Sequence, residues 1–182
     1  MKKFLALTLT ALMLATLCLG LASCGGGSPF SKNSGLTLDA FTATMQDVDD
    51  ELALTLEGDR YVYSETGIFA YSYSVACDDD GYVTDVEIKT EQINASDIST
   101  SSKIITIASK SSGSMTMADV RVVSAVLRVG NVIEAAGISS DDITTAEVVD
   151  LISQQGSNTY GDWTVSVRLN GTTLVINATY NN

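Results

Sequence analysis

Between Tyr71 and Ile88, apolar and polar side chains alternate on both sides of an acidic turn, Asp78-Asp79-Asp80-Gly81, and the alternation returns around Asn170-Gly171. A period of two marks a strand with one dry face and one wet face, so the chain has to provide a sheet whose dry side something else covers. With Cys77 opposite Tyr82, the pairs Val75 and Thr84, Tyr73 and Val86, and Tyr71 and Ile88 share the apolar face. Ala76, Val83, Ser74, Asp85, Ser72 and Glu87 take the other. Shortening the turn to Asp80-Gly81 moves the pairing by two and keeps these faces. In the second hairpin, Trp163, Val165, Val167 and Leu169 fall with Leu174, Ile176 and Ala178, while Thr164, Ser166, Arg168, Thr173 and Asn177 face the opposite way. Arg60 to Ser64 and the alternation Leu52, Leu54, Leu56 supply two further strand signals.

The cover comes from helices. Leu38, Phe41, Met45, Val48 and Leu52 recur at three- and four-residue steps behind Thr37, a capping residue, which predicts a helix over 38–50. Thr116 and Asp119 form a capping box ahead of an apolar stripe through Val122, Val123, Val126, Val129 and Ile133, with Gly137 as the stop. Thr144 and Glu147 form a second box, opening a helix through Val148 and Ile152 that stops near Gly156. Residues 92–116 are Ser- and Thr-rich, and only the patch Ile104 to Ile107 interrupts them; no element is assigned there. The order of helix, strands, helices and hairpin gives an α+β fold, an antiparallel sheet with helices packed on one face.

Ahead of this domain lie Lys2-Lys3, an apolar run from Phe4 to Leu19, and Leu21-Ala22-Ser23-Cys24. The run is broken by Thr8, Thr10 and Thr16 and is shorter than the roughly 20 apolar residues of a spanning helix. The segment resembles bacterial lipoprotein signal peptides, whose lipobox carries Leu three residues before an invariant Cys. The resemblance implies cleavage before Cys24, a diacylglycerol thioether on Cys24, and a mature protein held by lipid on the extracytoplasmic face of a membrane. Gly25 is not the Asp that retains Gram-negative lipoproteins at the inner membrane, so the outer membrane is the expected destination in such a cell. The organisation expected is therefore a signal peptide at 1–23, a Gly- and Ser-rich tether at 24–35, and a single domain at 36–182.

The whole chain carries 10 Lys and Arg against 22 Asp and Glu. All the acids follow Cys24, so loss of Lys2 and Lys3 with the leader leaves 8 cations against 22 anions, a net −14. Such a surface repels nucleic acid and anionic headgroups, which leaves the lipid on Cys24 as the link to the membrane. There is no histidine, which excludes Ser-His and Cys-His nucleophile pairs and the usual zinc sets. Once Cys18 leaves with the leader and Cys24 is acylated, Cys77 is the sole thiol, so no internal disulfide forms and the core alone must hold the fold.

Four constellations remain. Asp78, Asp80 and Glu87 match three ligand positions of a calcium loop with Gly81 as its glycine, but Ala76 stands at the first position and the flanks alternate as strands. An acidic turn accounts for them better. Tyr61, Tyr63, Tyr71, Tyr73 and Tyr82 lie in neighbouring strands, where a core role outweighs an exposed stacking platform. Cys77 belongs with a small buried hydrophobe rather than a reactive thiol. Asp49-Asp50-Glu51 and Asp141-Asp142 fit capping and solubility, though paired carboxylates are the one route left to a hydrolase. The sequons at Asn94, Asn170 and Asn177 are chance occurrences in a Ser/Thr-rich chain. The sequence thus points to a binding or interaction module without cofactor or catalytic residues. Its partner is an unidentified protein or glycan, met by a sheet face, of which the free side is polar, or by a helix-sheet edge; the alternatives are an assembly role in the envelope and a carboxylate hydrolase.

Overall fold

The structure, a computed structural model, describes residues 33–67, 69–110, 113–138 and 144–181. The leader, Cys24, most of the tether and Asp141-Asp142 lie outside the described residues. Seven antiparallel strands form one sheet: β1 (Thr55–Glu57), β2 (Arg60–Glu65), β3 (Tyr71–Cys77), β4 (Val83–Thr90), β5 (Ser157–Tyr160), β6 (Trp163–Asn170) and β7 (Thr173–Tyr180). Their spatial order is β1-β2-β3-β4-β7-β6-β5, two meanders joined where β7 pairs with β4. Among the described residues four helices accompany it, α1 (Leu38–Gln46), α2 (Ser101–Ala108), α3 (Met117–Ala135) and α4 (Thr145–Gln154). The α+β architecture expected from the sequence is the one found.

One side of the sheet is dry. Tyr71, Tyr73, Val75, Val86, Ile88, Val165, Val167, Leu174, Ile176 and Ala178 form one buried cluster with Phe41 and Met45 of α1, Val122, Val129 and Ile133 of α3, and Val149 and Ile152 of α4. Thr37 caps α1 by accepting from the Ala40 amide. Both predicted capping boxes are present, at Thr116 with Asp119 and at Thr144 with Glu147. Lys110 reinforces the first by donating to Asp119 at 2.8 Å, and these bonds hold the Asp119 carboxyl below the usual carboxylate range.

Three features depart from the sequence reading. First, α1 ends at Gln46 instead of near residue 50, and Asp49 turns inward; Leu52 is core, but only Thr55–Glu57 pairs as a strand, leaving Leu56 largely exposed. Second, the Ser- and Thr-rich stretch folds. A 3₁₀ turn at Ala95–Asp97 leads into α2, capped by Thr100, and Ile104 and Ile107 are buried one turn apart. β5 was likewise not foreseen, because Ser157-Asn158-Thr159-Tyr160 has no apolar alternation and pairs as an exposed edge. Third, the register of the first hairpin breaks at a β-bulge. Tyr73 pairs with Ile88 and Val75 with Val86, the two-residue shift allowed by the turn, but Cys77 then meets Val83. The extra residue makes Thr84 and Asp85 both oppose the stretch at Ala76, so the parity reverses toward the turn. Val83 is accordingly buried in the core and Thr84 is not, the opposite of the expected faces.

Candidate functional site

The side of the sheet opposite the helices is built of small polar side chains in registered rows. One row runs Thr55, Val62, Ser74, Glu87, Asn177, Ser166 and Ser157 across all seven strands. A second runs Ser64, Ser72, Lys89, Val175 and Arg168. A third contains Ala76, Asp85, Thr179, Thr164 and Thr159, with the Glu57 and Arg60 pair at its β1 end. The expected polar positions Ser72, Ser74, Asp85, Glu87, Thr164, Ser166 and Arg168 therefore do share one surface.

Its charges balance. Arg60, Lys89 and Arg168 stand against Glu57, Asp85 and Glu87, on a chain whose acids outnumber its cations by more than two to one. Arg60 bridges Asp85 at 2.6 Å and also donates to the Ser74 hydroxyl and carbonyl; Thr179 donates to the other Asp85 oxygen at 3.0 Å. Lys89 pairs with Glu87 at 2.7 Å. Exposed pairs of this kind contribute little stability, so what they chiefly do is fix the side chains in place and cancel their fields. Near β1 to β3 the face dips into a depression of about 450 Å³, lined among others by Thr55, Glu57, Val62, Ser64, Ser72 and Ser74.

A second polar constellation lies within the core. Arg128 of α3 grips Asp49 with two bonds, Nε to Oδ2 at 2.9 Å and Nη2 to Oδ1 at 2.6 Å, and its Nη1 donates to Thr90 at 3.2 Å. The Tyr73 hydroxyl donates to Asp49 Oδ2, the oxygen that also accepts from Arg128 Nε. The guanidinium carbon lies 4.1 Å from the centre of the Tyr71 ring, which meets Tyr73 edge-on. Asp49 and Arg128 are both almost completely buried. Burial works against the Arg128 charge, but the hydrogen bonds and the attraction of Asp49 outweigh it and hold its pKa above the ordinary value. Burial, then the neighbouring Asp49 charge, pushes both Tyr71 and Tyr73 well above the usual phenol range. Asp49 therefore does not belong with the solubility acids; it is the buried counter-ion of the core, and only a tertiary contact 79 residues distant in sequence identifies it.

The remaining candidates resolve individually. Asp78 spends Oδ1 on the amides of Asp80 and Tyr82, at 3.1 and 2.8 Å, closing its own turn, and Glu87 sits in mid-strand with Lys89. Among the described residues no group of three or more His, Cys, Asp or Glu is placed to hold a metal ion, so Asp78, Asp80 and Glu87 do not assemble as one. Tyr71 and Tyr73 are core; Tyr61 and Tyr63 are half-buried against its rim. Cys77 is half-buried on the core side, its thiol raised by burial and then by Asp78, which leaves little thiolate. The carboxyl of Glu134 in α3 is raised by burial and then by the charge of Asp47, on the other side of the sheet from the depression. No helix among the described residues is long and apolar enough to cross a membrane. In the comparisons with known proteins, no family model, no curated protein and no solved structure matches this chain.

Proposed function

We propose that the chain is a lipid-anchored, extracytoplasmic recognition domain that presents the open face of its sheet to a protein or glycan partner. The observation that carries this reading is the charge balance of that face. A surface that served only solubility on so acidic a chain would share its negative excess, whereas here three cations stand against three acids and most of the other positions are Ser or Thr, with Val62, Ala76, Val175 and Asn177 among them. The dry side is already occupied by helices, so the polar side is the one available to a partner.

Attachment through Cys24 suits this presentation. The Tyr180 hydroxyl donates to the Asn33 carbonyl at 3.0 Å and the Val83 amide to the Leu36 carbonyl at 2.8 Å, so the chain joins the domain at the sheet end that carries the turns at 58–59, 78–81 and 161–162. The last residues of the expected tether, from Asn33, are thus docked on the fold. Eight residues lie between Cys24 and Asn33, a reach of at most about 32 Å over nine Cα steps. The strands run away from this end, and Asp59, Asp78, Asp79, Asp80 and Asp162 on its turns oppose collapse onto an anionic bilayer.

The exposed large apolar side chains, Leu56, Phe69, Ile105 and Met117, are distributed over β1, the β2–β3 loop, α2 and α3, which favours recognition by the polar face over an apolar assembly surface. For the anchor, Cys24→Ser is expected to move the protein from the membrane to the soluble fraction and to remove the diacylglyceryl mass from its N-terminal peptide. Retention of the variant in the membrane fraction, or an unmodified Cys24 in the parent protein, would sink the lipid-anchor reading.

A further inference from the structure

The depression over β1 to β3 differs from the rest of the open face, and we infer that it is a binding subsite for a neutral saccharide; the inference rests on the recognition reading above and names the ligand class. Ser72 and Ser74 lie two residues apart on β3, about 7 Å along one strand, and Ser64 faces Ser72 from β2 at about 5 Å. The Ser64 and Ser72 hydroxyls make no hydrogen bond within the described structure, and Ser74 accepts from Arg60 Nε at 2.6 Å, leaving its own proton to donate. Hydroxyls with unspent donors and acceptors, spaced at single-sugar distances, suit a polyhydroxylated ligand, each of whose groups both gives and takes a hydrogen bond.

The charges select against other classes. Glu57 is the one charged residue among those lining the depression, and the adjacent cations, Arg60 beside Ser74 and Lys89 opposite Ser72, are already paired with Asp85 and Glu87, so an anionic phosphate, sulfate or uronate finds no unpaired cation there. Carboxylate oxygens accept well from vicinal hydroxyls, which gives Glu57 a direct role at one side. Val62, in the same row as Ser74, supplies an apolar contact for the C–H face of a ring. Tyr63 and Tyr73 alternate to the core side of the sheet, so the site holds its ligand by hydrogen bonds and shape, without ring stacking.

The test is biolayer interferometry of the full acylated chain in detergent against immobilised neutral hexasaccharides of glucose, galactose, mannose, xylose and N-acetylglucosamine. Binding to at least one is expected, weakened about tenfold or more by Ser72→Tyr, which fills the depression with a residue that strands accept, and unchanged by Thr106→Tyr at an exposed position of α2, away from the open face. The affinity is expected to change less than about twofold between low and high salt, since no ion pair with the ligand forms. Absence of binding to all five, or binding indifferent to Ser72→Tyr, overturns the subsite. Binding lost in Ser166→Tyr, on β6 of the same face, but kept in Ser72→Tyr overturns it too, while leaving the recognition face standing elsewhere on the sheet.

Discussion

Replacing Arg128 with alanine is expected to cost about 3–5 kcal/mol, because it leaves the Asp49 carboxylate buried with no counter-ion. The loss should appear as a lower urea midpoint with an unchanged slope in the chain from Gly25 onward. The size of the effect measures the orphaned charge and not the worth of the pair. Two ions in a dry core return in mutual attraction roughly what they lose in hydration, so removing both charges together with the Tyr73 hydroxyl should be far gentler. The triple change Asp49→Leu, Arg128→Met and Tyr73→Phe takes away both charges and the hydroxyl that donates to Asp49, and is expected to recover most of the stability lost by Arg128→Ala. A triple variant no more stable than Arg128→Ala would show that the network stabilises the core in its own right. Its position explains its use: Asp49 follows α1, Arg128 belongs to α3, and Tyr73 and Thr90 sit on β3 and β4, so one cluster fixes two helical segments to the centre of the sheet.

The second large effect comes from the bulge. Val83→Asp is expected to abolish folding at ordinary temperature, since it places an unpaired carboxylate at a fully buried position. Thr84→Asp, one residue on, should cost only about 1–2 kcal/mol, because that side chain is only half-buried and loses one hydrogen bond, from its hydroxyl to the Ala76 carbonyl. Strict alternation through the hairpin requires the reverse outcome, with Val83 tolerant and Thr84 intolerant. The thermal melts of the two variants therefore decide whether the register shift at Ala76 and Cys77 exists.

This hairpin also illustrates what the sequence makes legible. Periodicity carries the strands and the faces because side-chain direction follows residue count, and the paired signals Thr116 with Asp119 and Thr144 with Glu147 carry the starts of α3 and α4 because capping is local chemistry. A bulge adds one residue without any composition of its own, so the count runs true from Tyr71 to Val75 and then misleads at Val83. The same limit hid α2, whose two buried isoleucines stand among serines and threonines that read as loop, and β5, an edge strand with nothing to bury. Asp49 and Arg128 were out of reach for a different reason: each is an ordinary surface residue by type, and only the packing of α3 over β3 and β4 brings them together.

The candidate site was half legible. The polar parity of Ser72, Ser74, Asp85, Glu87, Thr164, Ser166 and Arg168 follows from the alternation, but their union in one surface depends on β7 pairing with β4, a contact that joins distant parts of the chain. The charge balance follows from that junction, since it brings Arg168 into the row of Lys89. Spacing matches Asp78, Asp80 and Glu87 to three calcium-loop positions, and Ala76 with the alternating flanks already favours an acidic turn; what spacing does not reveal is that Asp78 closes that turn itself and that Glu87 stands with Lys89.

The most direct test of the recognition face is site-specific photo-crosslinking in intact cells of the source, with the photoreactive residue placed in turn at Ser166 and Arg168 on the open face and at Ser102 and Thr106 on α2. A discrete cross-linked product from the open-face positions, absent from the two α2 positions, is the expected result. Products from α2 alone, or from all four positions alike, would contradict the claim that the polar side of the sheet is where this domain meets its partner.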